Sequence, residues 1–156
     1  MTDDNYFMGE AIREAHKSYK QGGIPIGAVL VKDSQIISKG HNKLIQKNSA
    51  ILHAEMDAIE SASRQGFKDF TKSTLYTTLS PCPMCTGAII LYKIPKVVIG
   101  ENKTLMGAEN LLTSNNVEVT VLDDERCLEL FLDFKSKNPE IWQKELEKVG
   151  NTTEVK

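Results

Sequence analysis

Along this chain, segments whose apolar residues recur every three or four positions alternate with short runs rich in β-branched residues. Met8, Ile12, Ala15 and Tyr19 share one face of a helix that Gly22-Gly23 ends. Ile26 to Val31 is a short apolar run, Lys32-Asp33-Ser34 is a turn, and Gln35 to Ser38 returns as a strand, so the pair predicts a hairpin. Ser49 suits the N-cap of a second helix that presents Leu52, Met56 and Ile59 and stops near Gly66. Thr74 to Leu79 reads as a strand. Pro81 then suits the first turn of a helix running through Ala88, Ile89 and Leu91 to about Lys93. Lys96 to Ile99 is a buried strand, followed by a helix near Ala108 to Leu112 and a strand from Val117 to Val121. Asp124 to Lys135 is helical, with Leu128, Phe131 and Leu132 on its apolar face, and a short helix after Pro139 carries Trp142.

Strands separated by single helices argue for parallel crossovers. The expected class is α/β: a mixed sheet of about five strands, helices on both faces, and one antiparallel hairpin at the start. No repeat, low-complexity linker or shift in composition divides the chain, so residues 1–156 are expected to form a single domain with a frayed tail from about residue 149.

A length of 156 residues with 40% apolar and 26% charged residues suits a globular domain with a core of its own. No apolar run approaches the ~18–20 residues a membrane span needs. The acidic start, Met1-Thr2-Asp3-Asp4, is unlike a secretory signal, and a cytoplasmic protein is expected. Asn151-Thr152-Thr153 fits a glycosylation pattern but, without export, reads as a chance match. The net charge is −2, with basic and acidic residues interspersed. Nucleic acid grips basic stripes, so a small-molecule substrate is favoured over a polynucleotide. Three cysteines point to thiols or metal ligands rather than a disulfide framework. Cys127 stands apart and reads as a small buried hydrophobe on a helix.

The chemistry concentrates in His53-Ala54-Glu55 and Pro81-Cys82-Pro83-Met84-Cys85. Alone, either motif is weak; together, in this order, they resemble the signature of zinc deaminases. The chemistry agrees. Zinc takes neutral imidazole and thiolate, and a catalytic site keeps three protein ligands, which His53, Cys82 and Cys85 supply. Cys82 and Cys85 are three apart at a helix start, where the backbone favours thiolate charge, and a second helix start is expected to bring in His53. Glu55 need not be a ligand; with an ordinary carboxyl pKa of about 4.3 it can accept a proton from water and pass it on. A four-ligand structural zinc site would need Cys127, His16 or His41 nearby, and a redox Cys pair would not need Glu55.

With these motifs placed, the chain resembles the fungal-type cytosine deaminases of the cytidine deaminase superfamily. The resemblance runs from about Ala11 to Glu145. It includes Gly22-Gly23-Ile24-Pro25-Ile26-Gly27, Gly40-His41-Asn42, the stretch from Thr74 to Ile90, Gly100-Glu101-Asn102 and Asp123-Asp124-Glu125-Arg126-Cys127. It implies a three-layer α/β/α fold, a homodimer, one zinc ion per subunit and a free nucleobase as substrate. It also implies a pocket. Asn42 would hydrogen-bond the base edge, unless it is merely a turn-forming Asn after Gly40. The Ala54 N–H and the Ser80 carbonyl would hold the base and the departing ammonia. Ile26 and Leu79 would line the walls, and Trp142 would stack over the site in a C-terminal lid, unless it only fills the core.

Three positions depart from the fungal pattern. Ala54 replaces a glycine, and His-Ala-Glu is also found in tRNA adenosine and guanine deaminases. Leu105 stands in place of an aromatic residue, and Glu145 in place of an aspartate. The resemblance implies hydrolysis of cytosine to uracil and ammonia. Guanine, isocytosine, cytidine or a tRNA adenosine are alternative substrates, and a non-catalytic zinc-binding module is the reading from another class.

Overall fold

The computed structural model describes residues 3–149. Residues 150–156 lie outside that range, and with them the glycosylation-like Asn151-Thr152-Thr153 and nearly all of the expected tail. The elements in chain order are α1 (Asp4–Lys20), β1 (Gly27–Lys32), β2 (Gln35–His41), α2 (Ala54–Arg64), β3 (Ser73–Leu79), α3 (Pro83–Leu91), β4 (Lys96–Glu101), α4 (Glu109–Ser114), β5 (Glu118–Val121), α5 (Glu125–Lys137) and α6 (Pro139–Val149). Among the described residues no helix is long and apolar enough to cross a membrane.

The five strands form one sheet in the order β2-β1-β3-β4-β5. The turn at Asp33 and Ser34, both at positive φ (52° and 60°), closes the β1–β2 hairpin. β3, β4 and β5 are parallel, as expected. One pairing departs from expectation: β3 lies antiparallel to β1, because the β2–α2–β3 crossover passes over β1 and lands on its far side.

The two-residue period of the strands sorts the core into two layers. Ala28, Leu30, Leu75, Val97 and Ile99 point to one face and pack with Ala58 and Ala62 of α2, Ile89 of α3 and Leu112 of α4. Val29, Val31, Tyr76 and Val98 point to the other and pack with Phe7, Met8 and Ala11 of α1 and Cys127 of α5. This is a three-layer α/β/α arrangement. Cys127 is the buried hydrophobe its sequence position suggested, and burial pushes its thiol pKa far up. Gly40 is where α2 comes down on β2; a Cβ there would overlap the Ala54 carbonyl and the Ala58 N–H.

Three local expectations are corrected. Ser49 does not cap α2; its hydroxyl accepts the N–H groups of Ile51 and Leu52 at 3.2 and 3.0 Å, shaping the preceding loop, and the N-cap is His53. Leu52 therefore lies outside the helix. Pro83, not Pro81, takes the first turn of α3 behind an N-cap at Cys82. On α5 the buried residues are Cys127, Phe131 and Phe134, whereas Leu132 is 45% exposed; the face turns by about one residue to meet Trp142 of α6.

Candidate active site

β2 and β3 both run antiparallel to the intervening β1, so the two point the same way. The helices that follow them, α2 and α3, therefore begin at the same end of the sheet. His53 is the N-cap of α2, Cys82 is the N-cap of α3, and Cys85 lies in the first turn of α3 with its N–H directed at Cys82 Sγ, 3.5 Å away. His53 Nδ1 sits 3.4 Å from Cys82 Sγ and 3.6 Å from Cys85 Sγ. The three ligand atoms lie within 4.8 Å of one another. One imidazole nitrogen and two sulfurs converging on one point are donors that fit zinc, and a set of three leaves a coordination position open. His41, a conceivable fourth ligand, instead faces Glu14 and Gln21, at 3.4 and 3.1 Å.

Before a metal binds, the negative charge of the site settles on Cys82. The Cys85 thiol donates to Cys82, and His53 adds to this, so the Cys82 thiol is held down to about 4 against its own burial. The same hydrogen bond, together with burial, pushes Cys85 well above its ordinary value. Burial tends to lower His53, but the hydrogen bond to Cys82 and the negative charge of Glu55 outweigh it and raise the imidazole.

Glu55, in the first turn of α2, is 4% exposed and lines the same cavity as His53 and Cys82. Its pKa differs from the ordinary carboxyl value expected from sequence. Burial raises it to about 7, with His53 opposing. A carboxyl group with such a value can both take and give a proton near neutrality.

A cavity lies beside these groups. Asn42, Leu79 and Ser80 line it from the sheet end, with Ile26 beside them. Leu105 reaches it from the β4–α4 loop, and Trp142 and Glu145 close it from α6. Ala54 lies fully buried between His53 and Glu55, and its N–H is one of the first-turn amides that a helix leaves without an internal partner. The cavity wall thus includes Ile26, Asn42, His53, Glu55, Leu79, Ser80, Cys82, Leu105, Trp142 and Glu145, while Cys85 joins His53 and Cys82 in the ligand cluster and Ala54 is not part of the lining.

The turn-forming reading of Asn42 is seen directly, and the residue also lines the cavity. Its side-chain oxygen accepts the Leu44 N–H at 3.1 Å, which is the turn-forming role, and this leaves the amide NH₂ for the cavity. Trp142 fills the core and also forms part of the cavity wall. It is 3% exposed in a cluster with Leu79, Leu105, Phe131 and Phe134, edge-on to Phe131 at 4.7 Å, and it lines the cavity. Glu145 is tied to Lys148 at 2.6 Å.

Sequence reasoning passed over Ile24 and Val149 as cavity residues, although Ile24 sits inside the Gly22 to Gly27 run. It also passed over the bracing of Asn42, whose carbonyl accepts from Ser18 Oγ at 2.7 Å and Gln46 Nε2 at 2.9 Å. Nothing in the spacing of Ser18 and Gln46 marks them.

Comparison with known proteins agrees with this geometry. The chain is 47% identical over 145 residues to a cytosine deaminase of Candida albicans, covering 92% of this chain and 97% of that protein. It is 44% identical over 128 residues to a tRNA-specific adenosine deaminase of Streptococcus pyogenes, covering 81% and 76% respectively. Among solved structures, one from a study of tRNA:A34 deaminases superposes with a TM-score of 0.72 at 30% identity, covering 81% of this chain and 99% of that one. A guanine deaminase of Nitrosomonas europaea shares the fold, with a TM-score of 0.75 at 20% identity over 87% and 86% of the two chains. Residues 1–101 match the cytidine and deoxycytidylate deaminase zinc-binding region. With His53, Cys82 and Cys85 brought together at the starts of two helices, this chain belongs to the cytidine and deoxycytidylate deaminase family of zinc-binding hydrolases.

Proposed function

We propose that this protein hydrolyses the exocyclic amino group of free cytosine, giving uracil and ammonia, as part of pyrimidine salvage in the cytoplasm. The observation that carries the reading is the roof of the cavity. Trp142 and Glu145 of α6, with Leu105, close over the space beside His53 and Glu55, leaving a compartment suited to a bare base rather than a polynucleotide. The 47% identity to a cytosine deaminase along nearly the whole chain supports the same substrate.

Zinc, when bound, lowers the pKa of water to roughly 7 and polarises it for attack. Glu55 takes a proton from the attacking water and delivers it to the ring nitrogen beside the amino-bearing carbon. Oxygen adds to that carbon, and Glu55 then passes the second proton to the amino group, which leaves as ammonia. Asn42 donates to an acceptor on the base edge, and the Ala54 N–H donates alongside it. The Ser80 carbonyl accepts from the amino group, with the Glu145 carboxylate near it. Ile26, Leu79 and Leu105 keep the ring in an apolar slot, and Trp142 excludes bulk water from above.

The test is ammonia release by zinc-loaded protein with cytosine, cytidine, isocytosine, guanine and a tRNA anticodon stem-loop. Turnover of cytosine with the stem-loop inert supports the reading. Turnover of another substrate with cytosine inert overturns it.

The protein is further proposed to act as a homodimer through α3. That helix carries no charged residue, and Leu91 and Tyr92 at its end are 69% and 48% exposed. A helix apolar on all sides is ordinarily covered, here by a second copy. Sedimentation should give twice the chain mass for the wild type and a monomer for Leu91→Glu.

A further inference from the structure

Ser80 lines the cavity, yet its hydroxyl is engaged elsewhere. It accepts the Gly107 N–H at 2.9 Å and donates to Glu109 Oε2 at 2.6 Å. Glu109, at the start of α4, also accepts from Asn102 Nδ2 at 3.2 Å, so one carboxylate holds both ends of the loop between β4 and α4. That loop carries Leu105, which is 7% exposed and forms part of the cavity wall.

Further bonds tie the loop to the strand ends. Glu101, 1% exposed, accepts the N–H groups of Lys103 and Thr104 at 2.8 and 3.1 Å and the Thr104 hydroxyl. The Ser80 N–H donates to the Glu101 carbonyl at 3.2 Å, and the Ala108 N–H to the Pro81 carbonyl at 3.0 Å. Gly107 passes so close to the Pro81 carbonyl that a Cβ would overlap it.

We propose that Glu109 is a positioning residue for the reaction: through the Ser80 hydroxyl and Asn102 it clamps the 102–108 loop, fixing the Ser80 carbonyl and holding Leu105 against the base. This rests on the cavity being the deaminase pocket described above. The loop is irregular and spans two elements, so without the clamp its cavity residue is free to shift. A displacement near 1 Å at a site that orients a substrate costs on the order of 10²-fold. The Ser80 carbonyl faces an amino group that becomes a leaving ammonia, so it is engaged most strongly in the transition state, and its displacement lowers kcat more than it raises KM.

The test compares Glu109→Ala, Glu109→Gln, Ser80→Ala and the Glu109→Ala/Ser80→Ala double variant, with the exposed neighbour Asn110→Ala as control. For Glu109→Ala, kcat on cytosine should fall about tenfold to a hundredfold with zinc content unchanged. Glu109→Gln, which keeps one of the two acceptors, should fall between it and the wild type, and the control should match the wild type. If the hydroxyl and carboxylate act as one clamp, the double variant loses no more than the worse single variant. Losses that multiply, or wild-type kinetics in Glu109→Ala, overturn the proposal. Amide exchange at Gly107, followed by NMR, is a readout independent of turnover: it should quicken in Glu109→Ala, and an unchanged rate also overturns the clamp. A wild-type protein inert on cytosine but with this exchange response would sink the substrate reading and leave the clamp standing.

Discussion

The side-chain oxygen of Asn42 accepts the backbone N–H of Leu44 at 3.1 Å, and this bond decides what the residue offers the cavity. Because the oxygen is taken, the NH₂ group is the free face. Under the proposed function, that donor would meet a carbonyl or ring nitrogen on the base edge. Asn42→Asp keeps the Leu44 bond and replaces the donor with a second acceptor. An acceptor left unpaired costs about 1–3 kcal/mol, so kcat/KM on cytosine should drop roughly tenfold to a hundredfold with the melting temperature little changed. Steady-state kinetics beside a thermal melt check both halves.

Glu55→Gln keeps the shape of the first turn of α2 and removes the proton carrier. Zinc content by elemental analysis should equal that of the wild type while kcat falls by about 10²–10⁴-fold or more. Retained turnover would mean that another group moves the protons.

Stability at low pH should depend on Glu14. Burial opposes its ionisation, but hydrogen bonds from His41 and Lys17 win and hold the carboxyl at about 2, against an ordinary 4.5. A folded-state pKa below the unfolded value stabilises the fold above the unfolded value, and that contribution is lost as pH falls from about 4.5 towards 2. Glu14→Gln should unfold at lower urea than the wild type at pH 7, and the two midpoints should converge across that window.

Gly40→Ala tests how closely α2 sits on β2. The added methyl meets the Ala54 carbonyl and the Ala58 N–H, and backbone cannot step aside as a flexible side chain can. Overpacking of this kind costs about 1–3 kcal/mol, and here it should also impair zinc affinity, because His53 is the N-cap of the displaced helix. Chemical denaturation and zinc titration of the variant measure the two effects.

Removing the metal should abolish turnover and lower the melting temperature, since an ion that binds only the folded chain stabilises it by mass action. Adding zinc back should restore both. An unchanged melting temperature after stripping would argue that His53, Cys82 and Cys85 do not hold the ion.

The element pattern was largely readable from periodicity because helix and strand faces repeat locally, at 3.6 and 2 residues. The misses lie where a residue's partner is far along the chain. Ser49 looks like a helix cap by type, but the loop it shapes ends with His53, whose place at the start of α2 is set by packing on β2. Nothing local could reveal that β3 pairs antiparallel with β1, since strand order depends on where the α2 crossover lands. The same holds for Glu109 and Ser80, 29 positions apart and joined by a hydrogen bond.

By itself, the sequence determined the donor types and hence the metal: an imidazole and two thiols, with a carboxyl two residues past the histidine, can be read without coordinates because ligand chemistry belongs to the side chain. The tertiary structure decided what those groups become. It brought two helix starts to one end of the sheet, buried Glu55 so that its pKa rises to about 7, tied the side-chain oxygen of Asn42 to the Leu44 N–H and set Trp142 and Glu145 of α6 at the cavity. Burial, orientation and enclosure arise from contacts between distant segments, and only the folded chain has those.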